Sequence, residues 1–552
     1  MGDMEKRALL ASALAILILI AWQVFFAPAP PRPKGEKSAE APAALPATGL
    51  KPAAPAPPRR PPVAVRQPQR EEQIRLETDL LQITLTNQGG AVLSWHIRQY
   101  TDEAGQPLDL APARAPGEPP LSLAAWVEGG QGPDQLLEVV SRPSGVPGEP
   151  QTVLFRTAEG GGLILEKRLT VHPGKYQVDL DLRLINTGAG ATTPNLRVAW
   201  GPGFRGTAKD GATQRGQAVA LVGGKRVTED VTKLNGEVEH KGEVAWVAVQ
   251  DTYFAAALAP VGGSAAAVFQ KGVGDRPVAA LRFAGTALPA GAERTLAVHV
   301  FGGPKEVERL RDLGQDLDRL VDLGWFDFLA RPALYLMKFL YSFTGNYGVV
   351  ILIITLLQKV AFLPLTQKSL KSMQGMQTLQ PKIAAIRERH KGNTQRINQE
   401  TMELYKRHGV NPLGGCLPML VQIPIFIALY NALSNSVELW RAPFALWIDD
   451  LSAPDTLFVL PFAVPFVGEG VAVRVLPLLM GASMFVQQKM TPTAGDPRQA
   501  QMMLYMMPTL FTFLFWSFPS GLVLYWLGSN VLQIGHQHYM NRFVRKPAAA
   551  EA

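Results

Sequence analysis

The sequence predicts a polytopic α-helical membrane protein of six spans that carries a large all-β domain outside the membrane. Three observations predict it. Residues 74–302 alternate apolar and polar side chains between glycine-rich turns, the pattern of half-buried antiparallel strands. The second half of the chain instead holds long apolar runs rich in Phe, Leu, Met and Trp. The basic residues gather beside those runs, where the positive-inside rule and anionic lipid account for them, so the net charge of +8 implies no nucleic-acid partner. At 552 residues there is room for several domains, and the single cysteine, Cys416, excludes an intrachain disulfide.

From the N-terminus, residues 1–7 end in Lys6 and Arg7, and 8–26 form an apolar segment. A cleaved signal peptide is one reading. The run is long for that, and cleavage after Ala29 would leave Pro30 next, so an uncleaved anchor fits better. Residues 27–73 are dense in Pro and Ala, bury no core and read as a tether. In 74–302, "YQVDLDLRLI" (176–185) shows the clearest alternation, and "IRLETDLLQITLTNQGG" and "GLILEKRLTVHPGKY" behave similarly, which predicts one large β-sandwich. Residues 304–322 read as a charged helix that closes the domain at 322. In 325–343, Leu329, Ala333, Leu336, Leu340 and Phe343 share one helical face and Asp327, Arg331, Lys338 and Ser342 the other. That predicts an amphipathic helix, suited to the membrane interface or to a soluble core; its place before a span favours the interface.

The remaining spans are 347–365, 417–435, 472–488, 503–518 and 521–538. The 366–416 loop carries Lys368, Lys371, Lys382, Arg387, Arg389, Lys391, Arg396, Lys406 and Arg407 against three acids, so it is cytoplasmic. The acidic 436–471 loop, the β-domain and the tether are then outside, and 1–7, 489–502 and 539–552 inside. Within 366–416, Met373, Met376, Leu379, Ile383 and Ile386 keep helical spacing, and a second helix follows "KGNT" and ends at Gly409 and Pro412. The result is a helical hairpin with a basic outer face, either a docking surface or simply a solvated one. Residues 456–476 are apolar but broken by prolines and "GEG", and read as an external hairpin on the membrane surface.

One residue is out of place. Lys359, beside Gln358, sits inside the apolar run of the 347–365 span, where a cation costs roughly 2.5–3.5 kcal/mol. Thr355 lies one turn earlier on the same face. Gln422, Ser483, Gln487, Trp526, Asn530 and Gln533 fall in the inner halves of their spans, while the outer halves are more uniformly apolar. This common depth predicts a polar cavity that enters the bilayer from the cytoplasm, with no acid in the spans to pair with Lys359. Spacing also permits a lysine that snorkels to the inner headgroups.

Residues 409–447, "GVNPLGGCLPMLVQIPIFIALYNALSNSVELWRAPFALW", together with "WIDDLSAPD", "QQKMTPT", "LQPKI" and "DPRQAQMMLYMMPTLFTFLFWSFPSGLVLYW", closely resemble the YidC/Oxa/Albino family of membrane-protein insertases. The resemblance is most specific over 325–540, and in the β-domain "ETDLLQITLTNQGG" is its best match. It implies a five-helix insertase core with a hydrophilic groove open to the cytoplasm, a periplasmic β-supersandwich, and a bacterial inner-membrane location. It implies that the spans 417–435 and 503–518, with Phe426, Leu429, Met507 and Phe511, form the surface along which substrate slides to lipid. It also implies a mobile hairpin carrying Lys382, Arg387, Arg389 and Arg396 that receives substrate. The implied partners are nascent membrane proteins, the Sec translocon with its accessory subunits, the translating ribosome transiently, and membrane lipid. The family's groove usually carries an arginine; here Lys359 keeps the charge without the planar fork.

The resemblance implies no enzyme and no cofactor, and the sequence holds no phosphate-binding glycine loop. His96, His172, His240 and His299 show no metal-ligand spacing. The tail offers only Arg542, Arg545 and Lys546 to a ribosome. Two other functions stay open on the residues alone. A small-solute transporter or channel would suit a polar cavity and prolines in spans, though the spans show no inverted repeat. An anchored β-domain enzyme would need a carboxylate constellation that the sequence does not display.

Overall fold

The computed structural model describes residues 68–540 and 542, except 103, 112–120, 131, 158–161, 204–215, 412–416, 462–471 and 491–496. The expected anchor at 8–26, most of the tether and the tail beyond Arg542 lie outside the described residues, as do Pro412 and Cys416.

Between Gln73 and Pro304 the chain folds into antiparallel sheets. The first is a four-stranded meander from Gln73–Glu77 to Pro107–Asp109. A nine-stranded sheet runs in spatial order from Lys225–Glu229 at one edge to Glu138–Ser141 at the other. A five-stranded sheet, with Pro277–Phe283 at its centre, packs against it. The strand Gln177–Asn186 shows why the sequence pattern was readable. Its residues alternate strictly, with Val178, Leu180, Leu182 and Leu184 wholly buried. Trp95 and Trp200 meet edge to face at 5.5 Å in the core, and the indole of Trp95 donates to the carbonyl of Gly302 at 3.0 Å.

Several charged groups are buried in this domain, and the most deeply buried is a lysine. Lys167, on the strand Leu163–Val171, is fully buried. Its Nζ donates to the carbonyls of Gly90 (2.7 Å), Gly89 (3.5 Å) and Leu123. It thereby ties a turn of the small sheet to the large one. Burial pushes its ammonium down to about 7.

The closing helix expected over 304–322 is interrupted. α1, Val307–Asp312, stops before Gly314, whose φ of +76° is left-handed and ends a helix. A 3₁₀ turn, Leu317–Leu320, follows. α2, Asp327–Thr344, is amphipathic in a different way from the expected one. Ala330, Leu334 and Met337 form its buried strip. The expected polar face is held by ion pairs: Arg331 binds Asp327 (2.8 Å) and Asp318 (2.9 Å), and Lys338 binds Glu438 (2.9 Å) and Glu308 (3.3 Å). Phe328, Phe339 and Phe343 stand exposed on the far side. Apolar residues thus occupy two faces, one against protein and one free, and a two-way division of the helix could not separate them.

The C-terminal part is helical. α3 is Tyr347–Thr378, α4 Gln380–Arg389, α5 Thr394–Arg407 and α6 Leu417–Ser434. α7 is Val475–Met490, α8 Pro497–Leu514 and α9 Ser520–Tyr539. Among the described residues, α3 is the helix long and apolar enough to cross a membrane by those criteria, and Leu420–Ser434 is a shorter apolar one. The boundaries differ from expectation in three places. α3 continues past 365 to Thr378, because Pro364 removes one backbone bond without supplying a stop. The first hairpin helix, expected to run through Leu379, breaks there, with Pro381 in the opening turn of α4. α7 starts at Val475 and α8 already at Pro497. The expected cap at Gly409 has a φ of +65° just after α5.

The 436–455 loop closes the outer end of this bundle. The Asn346 amide donates to the carbonyl of Phe444 at 2.9 Å, and the Ser520 N–H donates to that of Ala453 at 2.8 Å. One oxygen of Asp455 accepts the N–H groups of Val475 (2.9 Å) and Leu476 (2.8 Å) and the Trp447 indole (3.1 Å), capping α7 from a distance. Trp440 packs tilted on Tyr253 and edge to face on Phe254, at 5.0 and 5.5 Å, which fastens the loop to the β-domain. The expected external hairpin has its base in the pair Phe458–Val459 and Ala472–Val473; its tip lies outside the described residues.

Replacing Lys167 with methionine leaves three buried carbonyls without their donor and is expected to cost about 2–4 kcal/mol. The folded-state value of Lys167 lies below its ordinary one, so the unfolded chain holds more protons between about pH 7 and 10.5. Its contribution is therefore fully favourable above that window and is lost as pH falls through about 7. Thermal unfolding followed by the β-sheet circular dichroism of the purified chain checks both points. The melting temperature should rise between about pH 7 and pH 9, and Lys167→Met should lower it and flatten that slope.

Candidate functional site

α9 is the helix on which the polar groups converge. α3 packs along one side of it and α7 along another, both starting from the end that the 436–455 loop caps. Small residues allow the close approach: a Cβ on Gly528 would come within 2.9 Å of Leu352 on α3.

Three hydrogen-bonded connections cross between helices along this part of α9. The Gln422 amide on α6 donates to the Tyr525 hydroxyl at 2.9 Å, and that hydroxyl donates to Gln358 Oε1 on α3 at 2.9 Å. Lys359 Nζ donates to Gln533 Oε1 at 3.4 Å, further inward. On the other flank the Asn530 amide donates to Ser483 Oγ on α7 at 3.0 Å. Six of the nine sequence-predicted groove residues are thus joined directly, or through Tyr525, across α3, α6, α7 and α9. Gln487 lies half-buried on α7 one turn inward of Ser483.

Two predicted groove residues do other things. Thr355 is fully buried, and its hydroxyl donates to the Ile351 carbonyl of its own helix at 2.7 Å. Trp526 turns away from the amides into an aromatic cluster. Its ring meets Phe426 of α6 at 4.9 Å, Phe515 at 5.2 Å and Phe511 of α8 at 5.8 Å. Phe426 and Phe511, expected on sliding helices, therefore meet through Trp526. α6 and α8 do not pack along each other, and this cluster is what bridges them. Met507 is half-buried, whereas Leu429 is 6% exposed and faces the protein interior, not an open surface. Lys382, Arg387, Arg389 and Arg396 are all exposed on α4 and α5, well separated from the groove residues in the fold.

Lys359 is half-buried, and no carboxylate among the described residues pairs with it. An ammonium in that position keeps its charge only beside water or polar partners. The residues that sequence reasoning missed are Tyr525, the central link of the amide chain, and His536, one turn inward of Gln533. A tyrosine in an apolar helix reads as core or as an interfacial anchor; only its two partners, 103 and 167 residues away, reveal the link. Among the described residues there is no group of His, Cys, Asp and Glu side chains that could hold a metal ion.

Comparison with known proteins matches residues 339–547 to the 60Kd inner membrane protein family and residues 73–336 to the YidC periplasmic domain. The membrane protein insertase YidC of Syntrophus aciditrophicus is 35% identical over 98% of this chain and 100% of its own length. That of Geobacter metallireducens is 37% identical over 100% of each. A crystal structure of an active YidC insertase with its first transmembrane domain resolved covers 86% of this chain and 94% of that one, at 19% identity and a TM-score of 0.36.

Tyr525→Phe removes the hydroxyl that joins α6 to α3 and leaves both amides without it. A loss of about 1–3 kcal/mol is expected, read as a lower melting temperature of the purified protein in detergent. An unchanged melting temperature would show that the amide chain contributes nothing to bundle stability.

Proposed function

Because this chain belongs to the YidC family of membrane-protein insertases, inner-membrane proteins with a periplasmic domain, we propose that it receives nascent hydrophobic segments in a positively charged groove open to the cytoplasm and releases them into the bilayer. In this reading the chain crosses the membrane six times, with the anchor and α3, α6, α7, α8 and α9 as spans. Both termini are cytoplasmic, and the β-domain is the periplasmic supersandwich of the family. The activity makes and breaks no covalent bond.

The observation that carries the reading is Lys359, half-buried among apolar helices and held by an amide oxygen with no carboxylate partner. An acidic or polar flank of an incoming segment meets the exposed basic hairpin, then enters between α3, α6 and α9. There Lys359 offers it a charge, and Gln358, Gln422 and Gln533 offer hydrogen bonds. The polar groove shortens the apolar path that the flank must cross, which is the costly step. The hydrophobic part of the segment leaves between α6 and α8. Leu420 and Ile423 on α6, and Met506, Leu510 and Phe513 on α8, are exposed apolar residues of these two helices. Burial of the segment in lipid supplies the drive, at about 25 cal/mol per Å². No nucleotide is needed for such a partition. The Sec translocon and the ribosome are the partners from which segments arrive.

Insertion of single-span substrates into proteoliposomes that contain the purified protein tests this. Lys359→Ala should reduce insertion of substrates with an acidic flank about five- to tenfold, the equivalent of roughly 1–1.4 kcal/mol. Lys359→Arg should retain it, since the field is kept. Equal insertion by Lys359→Ala across a panel of acidic-flanked substrates would remove the charge from the mechanism.

A further inference from the structure

His536 sits on α9 three residues inward of Gln533, the partner of Lys359. Its ring is half-buried, and its Nε2 is shielded from solvent with no hydrogen-bond partner. The side-chain nitrogen of Gln358, adjacent to Lys359, is likewise buried and unpaired. Buried polar atoms left in this state are costly and call for a partner. His536 and Lys359, which both lie by the Gln533 turn of α9, make a cluster with hydrogen-bonding capacity that the folded chain does not fully use.

The surroundings of His536 say what would satisfy it. Among the described residues Lys359, from α3, is the charged group that acts on it. α7, the other helix packed along α9, brings the carbonyl of Met490 to this depth, where it accepts from Gln537 at 2.6 Å, and its Lys489 is exposed. No carboxylate from α3 or α7 faces the ring. The cluster therefore matches an acceptor with negative charge, such as the side-chain carboxylate of an incoming segment.

We propose that His536 is a second substrate-recognising residue of the groove, a proton-dependent contact for the acidic flank inward of Lys359. The inference rests on the groove reading above. A neutral imidazole gives the flank one N–H at most, whereas an imidazolium gives two and adds a positive charge. An unperturbed imidazole changes charge between about pH 5 and 8, and here the carboxylate of the incoming flank must favour the charged form against the nearby Lys359. The groove then prefers acidic flanks more strongly as the cytoplasmic side becomes more acidic.

The test uses the full chain in proteoliposomes and a pair of single-span substrates that differ only in Asp or Asn at the flank. The readout is the ratio of Asp-flanked to Asn-flanked insertion at about pH 8 and about pH 6. The native protein should raise that ratio about two- to fivefold on acidification, the effect of one added and partly screened charge. His536→Gln should hold the low ratio at both pH values, and His536→Lys the high one. The same rise in His536→Gln as in the native protein, or a ratio in His536→Lys no higher than in His536→Gln, would overturn the proposal. Lys359→Ala run in parallel separates the two readings. A ratio unmoved by Lys359→Ala contradicts the groove itself, whereas a ratio that falls there but ignores residue 536 contradicts only the role of His536.

Discussion

A lysine ammonium suspended between two apolar helices, with one amide oxygen at 3.4 Å and no carboxylate, is the constraint around which the helical part is arranged. Such a charge demands polar company; Gln533 supplies its hydrogen bond, and further polar groups on neighbouring helices bond one another. α6 contributes Gln422 and α9 contributes Tyr525 and Gln533, while Asn530 and Ser483 bind each other on the opposite flank. The arrangement is one-sided along the helix axis. Its outer end is stoppered by the 436–455 loop, whose backbone engages Asn346, Ser520 and Gly521. Its lateral side, between α6 and α8, is bridged by packed aromatic rings. On the proposed reading, a polar interior capped at one end and flanked by apolar contacts is what a transient host for a hydrophobic segment requires.

The β-domain is not a detached appendage in this structure. Its hydrophobic core runs on through Leu317, Leu320, Ala330 and Leu334 into the helices. Trp440 docks on Tyr253 and Phe254, and Arg441 donates to the carbonyl of Asp102. α2 is pinned between the two parts by Arg331 and Lys338, while its phenylalanines remain free to meet lipid. The periplasmic domain thus bears on the loop that stoppers the groove.

What the sequence made legible followed from periodicity and from misplaced polarity. Strict alternation in 176–185 became the strand Gln177–Asn186, and polar residues at one depth became partners across helices. Three features were hidden for physical reasons. Gly314 breaks a helix that charge and apolar spacing alone would continue. A span has no need to end where its apolar run ends, so α3 runs on past 365 to Thr378, where the chain breaks before α4. Tyr525 and Trp526 are neighbours in sequence with opposite tasks, one linking amides and one packing rings, and only the partners on other helices distinguish them. A lone polar residue in an apolar helix announces that it needs a partner, without saying whether that partner is its own backbone, as for Thr355, or another helix, as for Gln422.

The central claim is that a nascent segment passes beside Lys359 with its polar flank toward the cytoplasm. Site-specific photocrosslinking tests it directly, with a photoreactive residue at position 359 of the full chain and ribosome-stalled nascent chains of increasing length. The account predicts crosslinks to the flank of the hydrophobic segment at intermediate lengths, which disappear as the segment moves on to lipid. Crosslinks to lipid alone at every length would contradict it, for Lys359 would then be a snorkelling anchor and the groove would not be the route.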